Sequence, residues 1–310
     1  MQDNNQTKQK SPPIPKKPWY SENNDLANKD LTGQVIIITG SSAGIGKETA
    51  RVLAYMNPTI IMACRSEEKT LPVIEEIQKE SLNDKIIFMK LDLGDLKSIK
   101  AFTEEFKSRY TTLNVLINNA GVTHSDRKLT KDGFEAVFGT NHLGHFYLTE
   151  LLIDVLKKSA PSRIINVSSK LHEGAKMNWE DLMYERDHLP VYKQSKLANV
   201  LFSKELQRRY GEYGIKSVSL HPGIIKTELN RDFATKWYGK AFLGVFSLFQ
   251  GTALEGAQTT LYCTLEDHEK LQAGAYYSDL KVKAENPIAR DEESCKKLWE
   301  ISEKLIGEKI

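Results

Sequence analysis

The hydrophobic positions fall in short, continuous, β-branched runs separated by longer amphipathic stretches. VIIIT (Val35–Thr39), TIIMA (Thr59–Ala63), IIFMKL (Ile86–Leu91), VLIN (Val115–Asn118), RIINVS (Arg163–Ser168) and KSVSL (Lys216–Leu220) repeat the pattern, and AYYS (Ala275–Ser278) adds a shorter seventh run. A run that is apolar at almost every position suits a strand covered on both faces. The stretches between them read as helices: one ending near Tyr55, one from about Glu67 to Lys79, and long ones over about 134–156 and 192–210. This alternation predicts an α/β fold, a doubly wound parallel sheet of about seven strands with helices on both faces. Ligands of such sheets lie beyond the carboxyl ends of the strands. The residues that follow each run are therefore where chemistry is to be sought.

Residues 1–30 break the pattern. Pro12, Pro13, Pro15 and Pro18 lie there among Asn, Gln and Lys, with few apolar residues to offset the entropy of ordering. This segment reads as a disordered tail, with a single folded domain over 31–310. Its PPIPKKP run fits a polyproline ligand, but a solvated spacer is the plainer reading. Across 310 residues, 43 basic and 41 acidic side chains leave a net charge of +2, which gives no electrostatic reason to expect nucleic acid as a partner. Cys64, Cys263 and Cys295 are widely spaced and odd in number, so they suggest neither a disulfide framework nor a metal site. The expectation is a protein of a reducing, cytoplasmic compartment, at most peripherally attached to a membrane. The apolar stretch Trp237–Gln250 is too short to span a bilayer and contains Lys240.

Directly after the first run comes TGSSAGIG, Thr39 to Gly46. Gly40 permits a tight turn, Gly44 a close backbone approach to a ligand, and Gly46 close packing of helix on strand. The helix that follows offers free N–H groups and a positive dipole end to a pyrophosphate. About 20 residues on, where an acid would bind the ribose 2′-hydroxyl of NAD, the second run ends in MACRS, with Arg65 and no carboxylate. Lys47 follows Gly46. Two cations without an acid favour a 2′-phosphate, hence NADP(H) over NAD(H).

The second dense motif is Tyr192-Lys193-Gln194-Ser195-Lys196 at the start of a helical stretch. Residues four apart share one helical face, so Tyr192 and Lys196 are neighbours. A phenol near pKa 10 is a poor proton-transfer group at neutral pH, and an adjacent ammonium would lower that value.

Taken in order, TGSSAGIG, NNAG (Asn118–Gly121), Ser168-Ser169, YKQSK and HPG (His221–Gly223) resemble the short-chain dehydrogenase/reductase family over the chain from about Leu31 onward. GIGKETA, ACRS, LDLGDLKSI, TNHLGHFYLT, QSKLANVLF and EGAQTTLYC resemble its retinol dehydrogenase-like branch. The resemblance implies a Rossmann-type domain and an oxidoreductase that interconverts a carbonyl and an alcohol. Tyr192 would be the general acid/base, Lys196 would bind the nicotinamide ribose and depress the Tyr192 pKa, and Ser169 would hydrogen-bond the substrate oxygen. Ser169 is preferred to Ser168 because the family uses the second serine of the pair and adjacent strand residues face opposite sides. Asn141 would hold a water linking Lys196 to solvent. Cofactor contacts would come from Gly40, Ser41, Ser42, Gly44, Ile45, Gly46, Lys47, Arg65, Asp92, Leu93, Asn118, Ala120, Gly121, Tyr192, Lys196, Pro222, Gly223 and Thr227, with Asp92 on the adenine and Asn118 steadying the central strand.

Tyr192 follows Ser169 by 23 positions, a longer interval than in many members of the family, and the intervening stretch is expected to be a loop near the substrate mouth. Tyr184 within it has His188, not Lys, four residues later. His142, His145 and His172 show no ligand spacing and are assigned to packing or solvent. Tyr238, Phe242, Val245, Phe246 and Phe249 repeat at helical spacing in a segment, about 228–256, that covers the substrate in this family. An apolar cover suits a retinoid, lipid aldehyde or ketone, while the same stripe fits core, a homodimer contact or a membrane-surface helix. The alternative to an enzyme is a catalytically slow NADP(H)-binding scaffold or redox sensor, against which the complete Asn-Ser-Tyr-Lys set argues.

Overall fold

The computed structural model describes residues 26, 28–124, 126–184, 190–223 and 252–310. The apolar runs are strands β1 (Val35–Thr39), β2 (Thr59–Cys64), β3 (Ile86–Lys90), β4 (Val115–Asn118), β5 (Ser162–Val167), β6 (Ile215–His221) and β7 (Tyr276–Ser278). An eighth strand, β8 (Lys281–Lys283), escaped the pattern because it is exposed and carries a single apolar residue, Val282. The sheet runs β3-β2-β1-β4-β5-β6-β7-β8, parallel as far as β7, and β8 returns antiparallel as a hairpin. Two lysines on the last strand discourage a further strand from adding to that edge.

The helices are α1 (Gly44–Ala54), α2 (Glu67–Ser81), α3 (Leu96–Arg109), α4 (Gly144–Lys158), α5 (Val191–Tyr210), α6 (Ala253–Leu265) and α7 (Glu292–Gly307). Strand alternation divides the core into two layers. Val35 and Ile37 face the cluster built by α3, α4, α5 and α7, whereas Ile36 and Ile38 face α1, α2 and α6. Each fully buried isoleucine contributes about 2 kcal/mol of apolar transfer free energy, and Ile36, Ile37 and Ile38 are all completely covered. Side-chain caps fix several helix starts: Ser66 for α2, Asp95 for α3, Asp291 for α7, and a reciprocal Thr252–Glu255 box for α6.

The folded body begins earlier than the expected boundary at residue 31. Leu26 is buried in the second cluster and Lys29 pairs with Asp267 at 2.6 Å. Residues 1–25 and 27 lie outside the described residues, as do positions 224–251, which include Thr227 and the aromatic stripe. Residues 252–256, counted within the substrate-covering segment, are the cap and first turn of α6, which packs on the core. α7 lies on α5, and its Trp299 is buried against Phe146, Phe202 and Tyr210. Among the described residues no helix is long and apolar enough to cross a membrane.

Candidate active site

The strand order reverses between β1 and β4, and the two ends that diverge there form one rim of the site. Gly40 closes the turn after β1 with φ +65°, and a Cβ on it would stand 2.9 Å from the Cα and Cβ of Ala120 beyond β4. The adjoining strand ends are joined through Thr39, whose hydroxyl accepts the Asn119 and Ala120 N–H groups at 3.0 and 2.9 Å. Gly46 is the packing glycine: a Cβ there would lie 2.6 Å from Asn119 Nδ2 and from the Gly40 carbonyl. Gly44 differs, with φ +57° and open space where its Cβ would stand. The α1 N-cap is Ala43, which has no side chain to satisfy the first-turn N–H groups. An open glycine cradle against an uncapped helix start fits a pyrophosphate.

Ser41, expected at the ligand face, points inward. Its hydroxyl donates to the Ile38 carbonyl at 3.1 Å and its N–H to Cys64 Sγ at 3.2 Å, so it shapes the turn from beneath. Ser42 and Ile45 are half-buried along the turn. Lys47 also departs from expectation. Its ammonium reaches Glu76 on α2 at 2.7 Å, which leaves Arg65 as the exposed cation at the end of β2 without an ion pair among the described residues. Asp92 follows β3 and caps its own turn by accepting the Gly94 N–H at 3.0 Å. Leu93 is packed into the core, and Asn118 is buried within the sheet, donating to Thr149 and Asn166 at 3.1 and 2.9 Å. Ala120, Gly121, Pro222 and Gly223 are half-buried at the ends of β4 and β6.

The second rim joins β5 to α5. Ser168 and Ser169 diverge as strand alternation requires. The buried Ser168 hydroxyl donates to the Lys196 carbonyl at 2.6 Å and ties the helix to the strand, whereas Ser169 is half-buried and meets Tyr192. Lys196 Nζ lies 5.8 Å from the Tyr192 ring centroid and donates to the Val167 carbonyl at 3.1 Å. Burial pulls the Lys196 ammonium down to about 8. Burial also pushes the Tyr192 phenol up to about 12, and its hydrogen bond with Ser169 acts in the opposite direction. The phenol is thus protonated at neutral pH, with an ammonium one helical turn away.

Asn141 sits in a π-helical turn, Gly139–Leu143, that leads into α4. Both of its amide hydrogens are committed, to the Val122 carbonyl at 3.0 Å and Ser195 Oγ at 3.1 Å, and its oxygen accepts the Val122 N–H at 2.8 Å. The side chain thus staples the loop after β4 to α5. Its carbonyl contacts His145 Nδ1 at 3.0 Å, and His145 Nε2 meets Thr39 Oγ1 at 2.9 Å, which connects the two rims through a buried imidazole.

The long interval between Ser169 and Tyr192 packs against α5. Gln194 accepts the Asn178 N–H at 2.6 Å and donates to the Leu182 carbonyl at 2.9 Å, and Tyr184 stands in a turn with φ +46°. Residues 185–189 of that interval lie outside the described ones. Gln194 and Ser195 are supports that the sequence does not single out, and His145, assigned from the sequence to packing or solvent, is a buried link between the rims. Gln194 and Ser195 lie inside the YKQSK motif, whose four-residue spacing marks Tyr192 and Lys196 but not what holds them.

Residues 34–237 match the family model for short chain dehydrogenase. Retinol dehydrogenase 12 of Homo sapiens is 42% identical over 285 residues, covering 90% of this chain and 88% of the relative. Retinol dehydrogenase 13 of Homo sapiens is likewise 42% identical, covering 89% and 86% of the two chains. Among solved structures, a putative uncharacterized protein from Mycobacterium paratuberculosis superposes with a TM-score of 0.73 at 32% identity, covering 91% of this chain and 97% of that one. With a glycine cradle on one rim and a Ser-Tyr-Lys cluster on the other, the chain belongs to the short-chain dehydrogenase/reductase family, is retinol dehydrogenase-like, and is an oxidoreductase of the carbonyl/alcohol class that uses a nicotinamide cofactor.

Proposed function

We propose that the protein is an NADP(H)-dependent oxidoreductase that interconverts an apolar carbonyl compound, of retinoid, lipid aldehyde or ketone type, with its alcohol. The observation that carries this reading is the meeting of Tyr192, Lys196 and Ser169 at the end of β5. A nicotinamide held at this site would supply or accept the hydride. Ser169 receives the Leu171 N–H on its oxygen at 3.3 Å and meets Tyr192, so its own proton lies beside the phenol and can turn to a substrate oxygen there. Tyr192, protonated at neutral pH, gives its proton to that oxygen as negative charge develops there. Lys196 stabilises the phenolate that results and holds the nicotinamide ribose.

Arg65 supports the choice of NADP(H), standing exposed at the end of β2 where an NAD site would present an acid. Lys47 supports it less than the sequence suggests, because Glu76 already neutralises it. The names of the relatives support a retinoid-like substrate class.

The test is turnover of retinal, medium-chain aldehydes and a steroid ketone with NADPH and with NADH, beside Tyr192→Phe. The expected result is NADPH-dependent reduction that falls at least about a hundredfold in the variant. Undiminished turnover in Tyr192→Phe would overturn the proton-transfer role, and equal use of NADH would overturn the cofactor assignment.

A further inference from the structure

A buried histidine and a C-terminal asparagine converge on the backbone of Ser169. Ser169 ends the β5 segment in extended conformation, φ −155° and ψ 152°, and caps the short turn Lys170–His172. Its carbonyl contacts two donors from the same residue, the His172 N–H at 3.0 Å and His172 Nδ1 at 2.7 Å. The other ring nitrogen, Nε2, accepts the Asn286 N–H at 3.3 Å. An imidazole that accepts at Nε2 carries its proton on Nδ1 when neutral, so the tautomer is set by Asn286 and the Nδ1–H is directed onto Ser169. The His172 ring is completely buried, packed edge-on to Tyr276 at 4.5 Å between ring centroids.

Asn286 does more than present its backbone. Its Nδ2 lies 3.0 Å from each of the carbonyls of His172, Glu173 and Ala175, and its Oδ1 accepts the Ile288 N–H at 3.1 Å. One buried amide from the segment after β8 thus pins the whole turn that leaves the serine. The flanking Glu285 is itself held by Lys204 on α5 at 3.0 Å, so the latch is anchored to the helix that carries Tyr192 and Lys196.

We propose that His172 and Asn286 are positioning residues for the reaction: Asn286 holds His172 as the Nδ1–H tautomer, and His172 clamps the Ser169 carbonyl so that the serine hydroxyl faces the substrate oxygen beside Tyr192. The proposal rests on the assignment of Ser169 to the substrate oxygen. With the carbonyl fixed by two donors, the peptide after Ser169 cannot rotate, and the Ser169 Oγ accepts the Leu171 N–H in one orientation only. Loss of the ring donor leaves the His172 N–H as the remaining hold on that carbonyl and loosens the peptide without removing the hydroxyl. The consequence falls on turnover and spares cofactor affinity, because neither residue borders the glycine turn.

The experiment is a double-mutant cycle on the whole chain with NADPH and retinal. His172→Leu is expected to lower kcat roughly tenfold, the scale of one lost neutral hydrogen bond, with the NADPH Kd within about twofold of wild type. His172→Asn, whose Nδ2 takes the place of Nδ1, is expected to recover most of the loss. In the Ser169→Ala background, His172→Leu is expected to add nothing, since the group it positions is gone. Losses that multiply in the double variant would overturn the proposal and leave the role of Ser169 intact. An unchanged kcat in Ser169→Ala would overturn that role and the proposal with it. Independently of turnover, histidine-labelled 15N spectra of the wild type are expected to show His172 protonated at Nδ1. A proton on Nε2 would overturn the proposal whatever the kinetics, and it is the readout that decides if His172→Leu fails to fold.

Discussion

The buried histidines make stability fall as the solution is acidified from pH 7 to 5.5. His142, His145 and His221 are pulled down by burial to about 3, 4 and 4, below the ordinary value of 6.5. They stay neutral in the folded chain over this window, while their unfolded counterparts take up protons below about pH 6.5. The unfolded state therefore binds more protons, and stability is lost as pH drops. Each group contributes a loss of a little over 1 kcal/mol between pH 7 and 5.5, about 4 kcal/mol for the three. Glu150 acts in the other direction. Burial raises its carboxyl to about 7, so its folded form takes up a proton first and returns somewhat under 2 kcal/mol. Lys196, at about 8, is mainly charged in both states across this range and adds almost nothing to the slope. For these groups together the net expectation is a loss of about 2 kcal/mol, measured by urea unfolding at the two pH values. His172 and His268, also lowered by burial, act in the same direction as the other histidines. In His142→Gln, which can keep a partner for Ser302 (2.9 Å from His142 Nε2), the difference between the two pH values should shift by about 1 kcal/mol in favour of acid. A pH dependence identical to wild type in that variant would refute the assignment.

Arg65→Glu should weaken NADPH binding by roughly ten- to a hundredfold and improve NADH relative to it, whereas Lys47→Ala should change the ratio by less than about threefold because Glu76 already holds that ammonium. Cofactor fluorescence titrations would measure both. Gly46→Ala should destabilise the fold by about 1–3 kcal/mol and weaken cofactor binding, since its Cβ meets Asn119 and the Gly40 backbone at 2.6 Å. Thermal unfolding with and without NADPH would separate the two effects. A variant as stable as wild type would show that the turn relaxes freely.

How legible the fold was depended on whether an element's signal lay within its own segment. Ile36, Ile37 and Ile38 announce a strand covered on both faces because every side chain is apolar, and the six main strands lie within a residue or two of where the runs place them. β8 left no such signal, since Lys281 and Lys283 face solvent and only pairing with β7 makes that segment a strand. Leu26 likewise looks like part of a polar tail until the core that covers it is seen.

The candidate site divides on the same ground. Gly40, Gly44 and Gly46 are readable because a turn that meets a helix start needs glycine at fixed offsets, and Tyr192 and Lys196 because four residues make one helical turn. The fate of a long or polar side chain is decided by what stands opposite it. Lys47 stands in the sequence where a cofactor cation belongs, and Glu76, 29 positions away, pairs with it. Ser41 stands where a ligand contact belongs, and Cys64 and Ile38 draw it inward. His172 has no partner at a telling spacing in the sequence, and its partners are a carbonyl three residues back and an N–H 114 positions ahead.

The sequence by itself determined the layered α/β architecture, the glycine turn and the Tyr-Lys pair, because strand, turn and helix periodicities are local. The tertiary structure alone decided which polar groups remain free to meet a ligand and which are spent on one another, because hydrogen bonds and ion pairs join residues that only the packed sheet brings within reach.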